Sequence, residues 1–453
     1  MKRARMPSGG VRRTVGNFTA NADMRFDEAV LADGTAARVV NFDVTDGALT
    51  DGYGIEITPR FEGKQVLSLW RFTRYDYDAG RYISCDMYCD ADGKVYYDDG
   101  GEWKELSGVV FTSPPSAVGY RLYGDDSIIM TSPTDKMYVW DGVGAPRRVE
   151  DSPYITSMVL HYERMFATTA GESNAVYFSD DLDPTNWNDT DLTEGGFIQL
   201  LDERGRLLKV VDFLNYVYVF REYGISRLTA YADQEDFNAV NLYVAGGKIY
   251  EGGVCACGDT ILLTGADGLY SFDGYSATRR LRAVKFRPSP AASAVYSDGK
   301  YYLAACTERD DGVNDTLVVY DISENTFSLS SLPIARLCKL DGEVFAVMSD
   351  GRAGKVSKCG ELFGAPLVKV WESGVSDFGS PDVKTVSEIT LRTDGDITVT
   401  VECDGKARDF AVSGGAGIKR FRPGVSGRTI RLRVISQSAG ARVVRLSCLL
   451  RSG

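Results

Sequence analysis

His161 is the only histidine among 453 residues, so any imidazole chemistry must run through it. A zinc site of the HExxH type and a two-histidine mechanism are excluded, and a Ser/His/Asp triad would have no other base. In MVLHYERMF the residue alternates with apolar neighbours, as on a strand, and reads as a hydrogen-bonded structural histidine. The 63 carboxylates make some acid pair unavoidable in a folded chain, so no glycosidase pair stands out by position. Asp76-x-Asp78-x-Gly80 and Asp90-x-Asp92-Gly93 open like calcium loops, but the glutamate that closes an EF-hand loop is missing. Turn chemistry accounts for both. Cys85 and Cys89, like Cys255 and Cys257, are spaced to share one face of a strand and have no second pair at zinc-ribbon spacing. With no secretory signal, the nine cysteines read as reduced, packed thiols of a protein made in a cytoplasm. Neither GxxxxGK[ST] nor GxSxG occurs. No catalytic residue, metal site or cofactor is expected.

The elements that position these residues are strands. Runs of four to eight residues rich in Val, Ile, Tyr, Phe and Thr recur between Asp-Gly, Gly-Gly and Ser-Pro turns, and helical periodicity is scarce. One unit repeats: strands separated by turns, the last ending in an aromatic–acid–Gly element. Its endings are KVYYDDGGEW, KMYVWDG, NAVYFSDD, YVYVFREYG, GLYSFDG, LVVYDIS and, degraded, GKVSKCG. With Asp99, Asp141, Asp180, Glu222, Asp273, Asp321 and Lys358 as anchors, the steps are 42, 39, 42, 51, 48 and 37 residues. Such a step, with three or four strands per unit, is the period of a β-propeller blade. One small sheet cannot bury both faces alone, and radial packing covers them. Six or seven blades over 37–366 are expected, with Arg309–Asp315 a surface loop and VVNFDV (39–44) closing the ring. From 367 to 453 period-2 alternation is cleaner. Ile397, Val399, Val401 and Cys403 share one face, as do Ile430, Leu432 and Val434, and Val444, Leu446, Cys448 and Leu450. This predicts an antiparallel β-sandwich after the propeller.

Charge is divided unevenly. Residues 1–13 carry +5, residues 406–453 carry +10, and 14–405 carry −27 within a net −12. An acidic body repels nucleic acid, while basic ends suit acidic partners. The longest apolar stretch, Val210–Phe220, is interrupted by Asp212 and Asn215 and is too short to span a bilayer.

The segment RMFATTAGESNAVYFSDDLDPTNWND (164–189) resembles a stretch recurrent in bacteriophage virion proteins. AARVVNFDVTDGALTDGYGIE (37–57) is similar to the opening of the same proteins, with TDGYG where an arginine usually precedes a glycine. VWESGVSDFGSPDVKTVSEITL (370–391) resembles the start of their C-terminal sandwich. Together these resemble the tail-accessory or nozzle proteins of short-tailed phages. The resemblance implies a structural virion protein assembled in the host cytoplasm, in a homo-oligomeric, hexameric ring. It further implies contacts with the portal and other tail proteins, and packaged DNA passing without tight binding. An acidic lining would avoid the multi-phosphate neutralisation that holds DNA. Lys2, Arg3, Arg5, Arg12, Arg13, Arg420, Arg422, Arg431 and Arg433 are then candidate contacts to neighbouring subunits or the portal. Residues 1–36 are expected to form an arm, its first 20 residues gaining order on assembly.

Ser179-Asp180-Asp181-Leu182-Asp183-Pro184-Thr185-Asn186-Trp187 also resembles the Asp-box of sialidase-type propellers, with Asp183 in place of a glycine and Asn186 inserted. That box is a structural hairpin, so it supports the fold more than a reaction. Trp103, Trp140 and Trp187 recur at similar places in three units, beside the motif residues Ser179, Asp180, Asp273 and Asp321. Exposed beside carboxylates, these tryptophans would suit a receptor- or glycan-binding tail protein with or without hydrolase activity. Buried between blades, they suit a structural one.

Overall fold

Apolar strands with both faces covered read as continuous runs, and Val217, Tyr218, Val219 and Phe220 are all buried in one. A computed structural model describes residues 10–16, 18, 22–24, 31, 35–122, 125–190, 193–231 and 233–452. Among them there is no α-helix, and two short 3-10 turns, Pro59–Phe61 and Gln234–Asp236, interrupt the strands. Seven sheets follow one another, antiparallel except where Leu362 pairs parallel with Ile55 in the seventh. The first comprises Val66–Asp76, Arg81–Asp90, Lys94–Asp99 and Glu102–Val110, in that order. The next five are four-stranded and span 116–149, 155–199, 207–244, 249–280 and 293–330.

The first strand of each sheet packs against the first strand of the next, and Ile334–Leu340 of the seventh packs back on Val66–Asp76 of the first. Seven apolar clusters fill the seven gaps. The one joining seventh to first holds Phe61, Leu69, Tyr88, Leu340 and Phe345. The chain is thus an all-β protein built around a closed β-propeller, in which each sheet buries its faces on its neighbours.

Closure differs from expectation. The strand completing the seventh sheet is Gly54–Ile57, paired antiparallel with Ala353–Ser357, rather than 39–44. Close approach selects glycine here: a Cβ on Gly54 would lie 2.1 Å from the Glu361 carbonyl oxygen, and one on Gly354 2.4 Å from that of Glu56. Ile55 is fully buried in the gap between the sixth and seventh sheets. The anchor Glu222 also falls one strand early, after the second strand of its sheet (Tyr216–Arg221) rather than the third (Gly224–Thr229). An apolar strand ending in an acid looks alike at either turn. Arg309–Asp315 lies in the connection between Lys300–Ala305 and Thr316–Asp321.

The segment 36–51 leaves the propeller, so the seven sheets do not begin at the expected 36/37 boundary, while Ala365–Pro366 still belongs to the seventh sheet and Lys369–Ser373 to another. Ala36–Val40 pairs with Lys369–Ser373 in a five-stranded sheet that continues through Ile430–Ser436, Ile397–Cys403 and Lys406–Val412. Phe42–Thr45 and Ala48–Asp51 join a seven-stranded sheet centred on Lys384–Thr393 and Val443–Ser452. The two sheets share one core, with Val399, Val401, Leu432 and Val434 facing Val386, Ile389, Leu446 and Cys448. One expected alternation slips: Val443 rather than Val444 is fully buried, because Arg445 takes a φ of +53° and shifts the phase. Asn41, at φ +60°, is the joint between this unit and the sixth sheet. Its N–H donates to the Leu329 carbonyl (2.9 Å), its Oδ1 accepts from the Ser331 N–H (2.8 Å), and its Nδ2 donates to the Val368 carbonyl (2.7 Å). Beside it Asp43 accepts from Lys358 (2.5 Å) and from the Ser328 hydroxyl.

Candidate functional site

The three recurrent tryptophans serve the gaps between sheets. Trp140 is 4% exposed, lies 4.9 Å from the Tyr97 ring and 5.9 Å from Phe72, and donates its indole N–H to the Gly144 carbonyl. Trp103 stands edge-on to Tyr88 at 4.7 Å and donates to the Arg60 carbonyl. Trp187 is buried in the cluster between the second and third sheets. Beside Trp140 a cavity of about 240 Å³ includes Asp98 and Asp99, but Asp98 accepts the Gly101 N–H and Asp99 pairs with Lys104.

The repeated acids organise turns. Asp141 accepts from the N–H groups of Val143 and Gly144, Asp273 from those of Tyr275 and Ser276, and Asp321 from Glu324 and the Ser323 hydroxyl. The N–H donors of Ser276 and Tyr275 hold the Asp273 carboxyl below its usual value. In the Asp-box-like segment Asp180 accepts from Asp181, Glu194 and Asn186, while the buried Ser179 hydroxyl accepts from the Met165 N–H. Asp90 binds the N–H groups of Asp92 and Lys94, and Asp76 that of Ala79, as turn residues do. No group of three His, Cys, Asp or Glu residues among the described residues is placed to hold a metal ion. The cysteines are free thiols, six of them buried. His161 is buried with Nδ1 2.7 Å from Asp212, a partner from the next sheet that its own strand could not reveal.

The basic residues divide into two groups. Arg12, in the strand Val11–Gly16, pairs beside Val443–Ser452, bonds Thr390 (2.9 Å) and forms an ion pair with Glu388 (2.7 Å). Arg420 lies opposite Thr390 on the neighbouring strand, and both arginines help hold the Glu388 carboxyl below its usual value, Arg12 foremost. Folding thus brings the two ends of the chain onto one sheet, with Arg13 and Arg422 exposed near by. Arg431 and Arg433 instead converge on Glu372 in the other sheet, at 3.4 and 2.6 Å. The arm expected over residues 1–36 is in part sheet strand, while Lys2, Arg3 and Arg5 lie outside the described residues.

A site that the sequence did not single out lies on the propeller axis. The first strands of the first, third, fourth and seventh sheets break register at the same place, between Val66 and Ser68, Ile155 and Ser157, Leu207 and Lys209, and Ile334 and Arg336. Such bulges re-aim side chains. Arg336 donates to the Ser68 hydroxyl (2.6 Å) and the Pro115 carbonyl (2.8 Å), linking the seventh sheet to the first and second. Lys209 donates to the Val254 carbonyl of the fifth sheet (2.7 Å), and Ser157 accepts the Val210 N–H of the fourth (3.3 Å). Burial pushes the Glu251 carboxyl up, and Lys209, Arg206 and Arg336 partly offset this from the fourth and seventh sheets. The arrangement is a girdle of inter-sheet bonds with its charges converging on the axis. It places no nucleophile beside a base.

No protein-family model matches the chain, and no curated protein matches it. Solved structures of similar shape include BamB from Moraxella catarrhalis, at 11% identity and a TM-score of 0.40 over 76% of this chain and 97% of that one. BBS1N in complex with ARL6DN has 12% identity and a TM-score of 0.41 over 68% of this chain and 95% of that one.

Proposed function

We propose that the chain is a structural component of a bacteriophage tail: a seven-bladed propeller joined to a β-sandwich, acting as a ring-forming subunit near the portal. The observation that carries this reading is the placement of Trp103, Trp140 and Trp187 in the gaps between sheets, where they hold shape instead of presenting rings to a sugar. Arg12 and Arg420, which share the Glu388–Thr390 face of one sheet, offer basic side chains to an acidic neighbour. In this reading DNA passes between copies rather than along a propeller's own axis. Charges from the fourth, fifth and seventh sheets already interact across that axis, and a duplex has a major groove of about 12 Å alone.

The test is imaging of the purified protein at high concentration. A ring with a central hole about 25 Å or wider, enough for a duplex with grooves of order 10 Å, is expected, and strictly monomeric particles would remove the reading. Removing residues 2–9 should leave the fold intact and weaken docking to the portal. Removing 2–13 should also destabilise the sheet, because Val11, Arg12 and Arg13 pair with Leu450, Leu449 and Cys448.

A further inference from the structure

Two-residue hairpins between the first and second strands of a sheet favour Asn, Asp or Gly, because their backbone is left-handed. The fifth, sixth and seventh sheets follow that rule with Gly258-Asp259, Asp298-Gly299 and Asp341-Gly342. The third and fourth do not. Tyr162 sits at φ +50° and Leu214 at φ +49°, a conformation disfavoured for bulky residues, and both side chains are exposed, by 42% and 55%. Backbone strain kept in exposed, apolar turn residues points to a use outside the fold.

Their surroundings give that use a chemistry. The ring of Tyr231, 68% exposed, stands 5.2 Å from Tyr162, so loops of the third and fourth sheets meet there. Arg227 lies 4.3 Å over the Tyr216 ring and 5.8 Å from that of Tyr275, which is 69% exposed in the next sheet. Among the described residues Arg227 forms no ion pair; its side chain bonds that of Tyr218, and its buried Nε has no acceptor. Gly274, at φ +101°, lies against the Tyr218 hydroxyl, where a Cβ would be 3.0 Å away. Tyrosines around a guanidinium that has no carboxylate partner form the kind of surface on which binding energy concentrates.

We propose that this surface docks a carboxylate-bearing turn of a second copy of the chain, the carboxylate on Arg227 and its apolar flank against Leu214, Tyr162 and Tyr231. The match to a second copy is local, one guanidinium to one of the many turn carboxylates that residues 14–405 carry, and it must outweigh the repulsion between two such bodies of −27 each. Contact between two different patches is head-to-tail, and gives a ring where its rotation closes and an open filament where it does not. The inference rests on the ring reading and names the surface that builds it.

Sedimentation of the full chain over a range of concentrations tests it, comparing wild type with Arg227→Gln, Tyr231→Ala and Leu214→Asp, each checked for native circular dichroism. Wild type should self-associate, and Arg227→Gln and Tyr231→Ala should weaken association at least ~10-fold. Wild-type assembly undiminished in every variant overturns this surface and leaves the ring reading standing. A wild type that stays monomeric overturns both. Binding of an oligogalacturonate that is lost in Arg227→Gln, with self-association unchanged, overturns the protein partner in favour of an acidic sugar.

Discussion

Trp140 illustrates what a large aromatic residue does at the end of a repeated strand. Its ring fills the gap between the first and second sheets, and its one polar atom is satisfied by Gly144. Trp140→Ala is expected to cost about 3–5 kcal/mol in chemical denaturation, the range for truncating a buried aromatic residue. Asp43 carries a different lesson. Burial raises its carboxyl, but hydrogen bonds from Lys358, Ser328 and Thr45 prevail and hold it below the usual 3.8. The stabilisation is therefore present above the unfolded value and lost as pH falls through the lower folded one. Asp43→Asn should cost about 1–3 kcal/mol at neutral pH, with wild type and variant converging below about pH 4 in acid titration. Glu251 has the opposite sign, since its raised carboxyl opposes folding once ionised. Glu251→Gln is expected to raise the melting temperature at neutral pH and to lose that advantage in acid. His161 and Trp140 were readable as packed residues from alternation and recurrence. Asp43 and Glu251 were not, because their partners lie in other sheets.

At the scale of the element, strands and hairpins were legible wherever turn residues were ordinary. Asp-Gly marked the hairpins at 298–299 and 341–342, and acids after strands marked turns whose N–H groups they now bind. The misplaced anchor at Glu222 shows the limit, since a strand ending in an acid gives no sign of whether it is second or third in its sheet. The phase slip at Arg445 is of the same kind: alternation reports a face only while no bulge intervenes. Leu214-Asn215 was a signal overlooked, an apolar residue where the turn calls for Asn, Asp or Gly. Leu214→Gly should relieve the left-handed strain and raise the stability of the monomer by about 1 kcal/mol, measured by thermal unfolding. The same change should weaken self-association, since a residue retained against stability is one with another role.

For the whole molecule, closure is the decisive event. Gly54–Ile57 comes from ahead of the first sheet yet completes the seventh, so the ring is fastened by a strand nearly 300 residues from its partner Ala353–Ser357. Ile55→Ala should cost about 2–5 kcal/mol, and limited proteolysis should then cut first near 54–57, where an unpaired edge is left behind. By itself the sequence determined the local terms: strands rather than helices, a repeating unit near the propeller period, clean alternation after 367, one histidine, and charge gathered at the ends. These follow from residue type and near-neighbour spacing, which the chain carries in order. Only the tertiary structure decided which strand closes the ring, that Val11–Gly16 and residues 36–51 pair with the C-terminal strands, that Arg431 and Arg433 share Glu372, and that Arg336 and Lys209 bridge sheets at the axis. Those pairings join residues far apart along the chain, and many strands of similar composition could have competed for each edge. Shape, close approach and the satisfaction of buried polar groups choose among them, and none of these exists before the chain has folded.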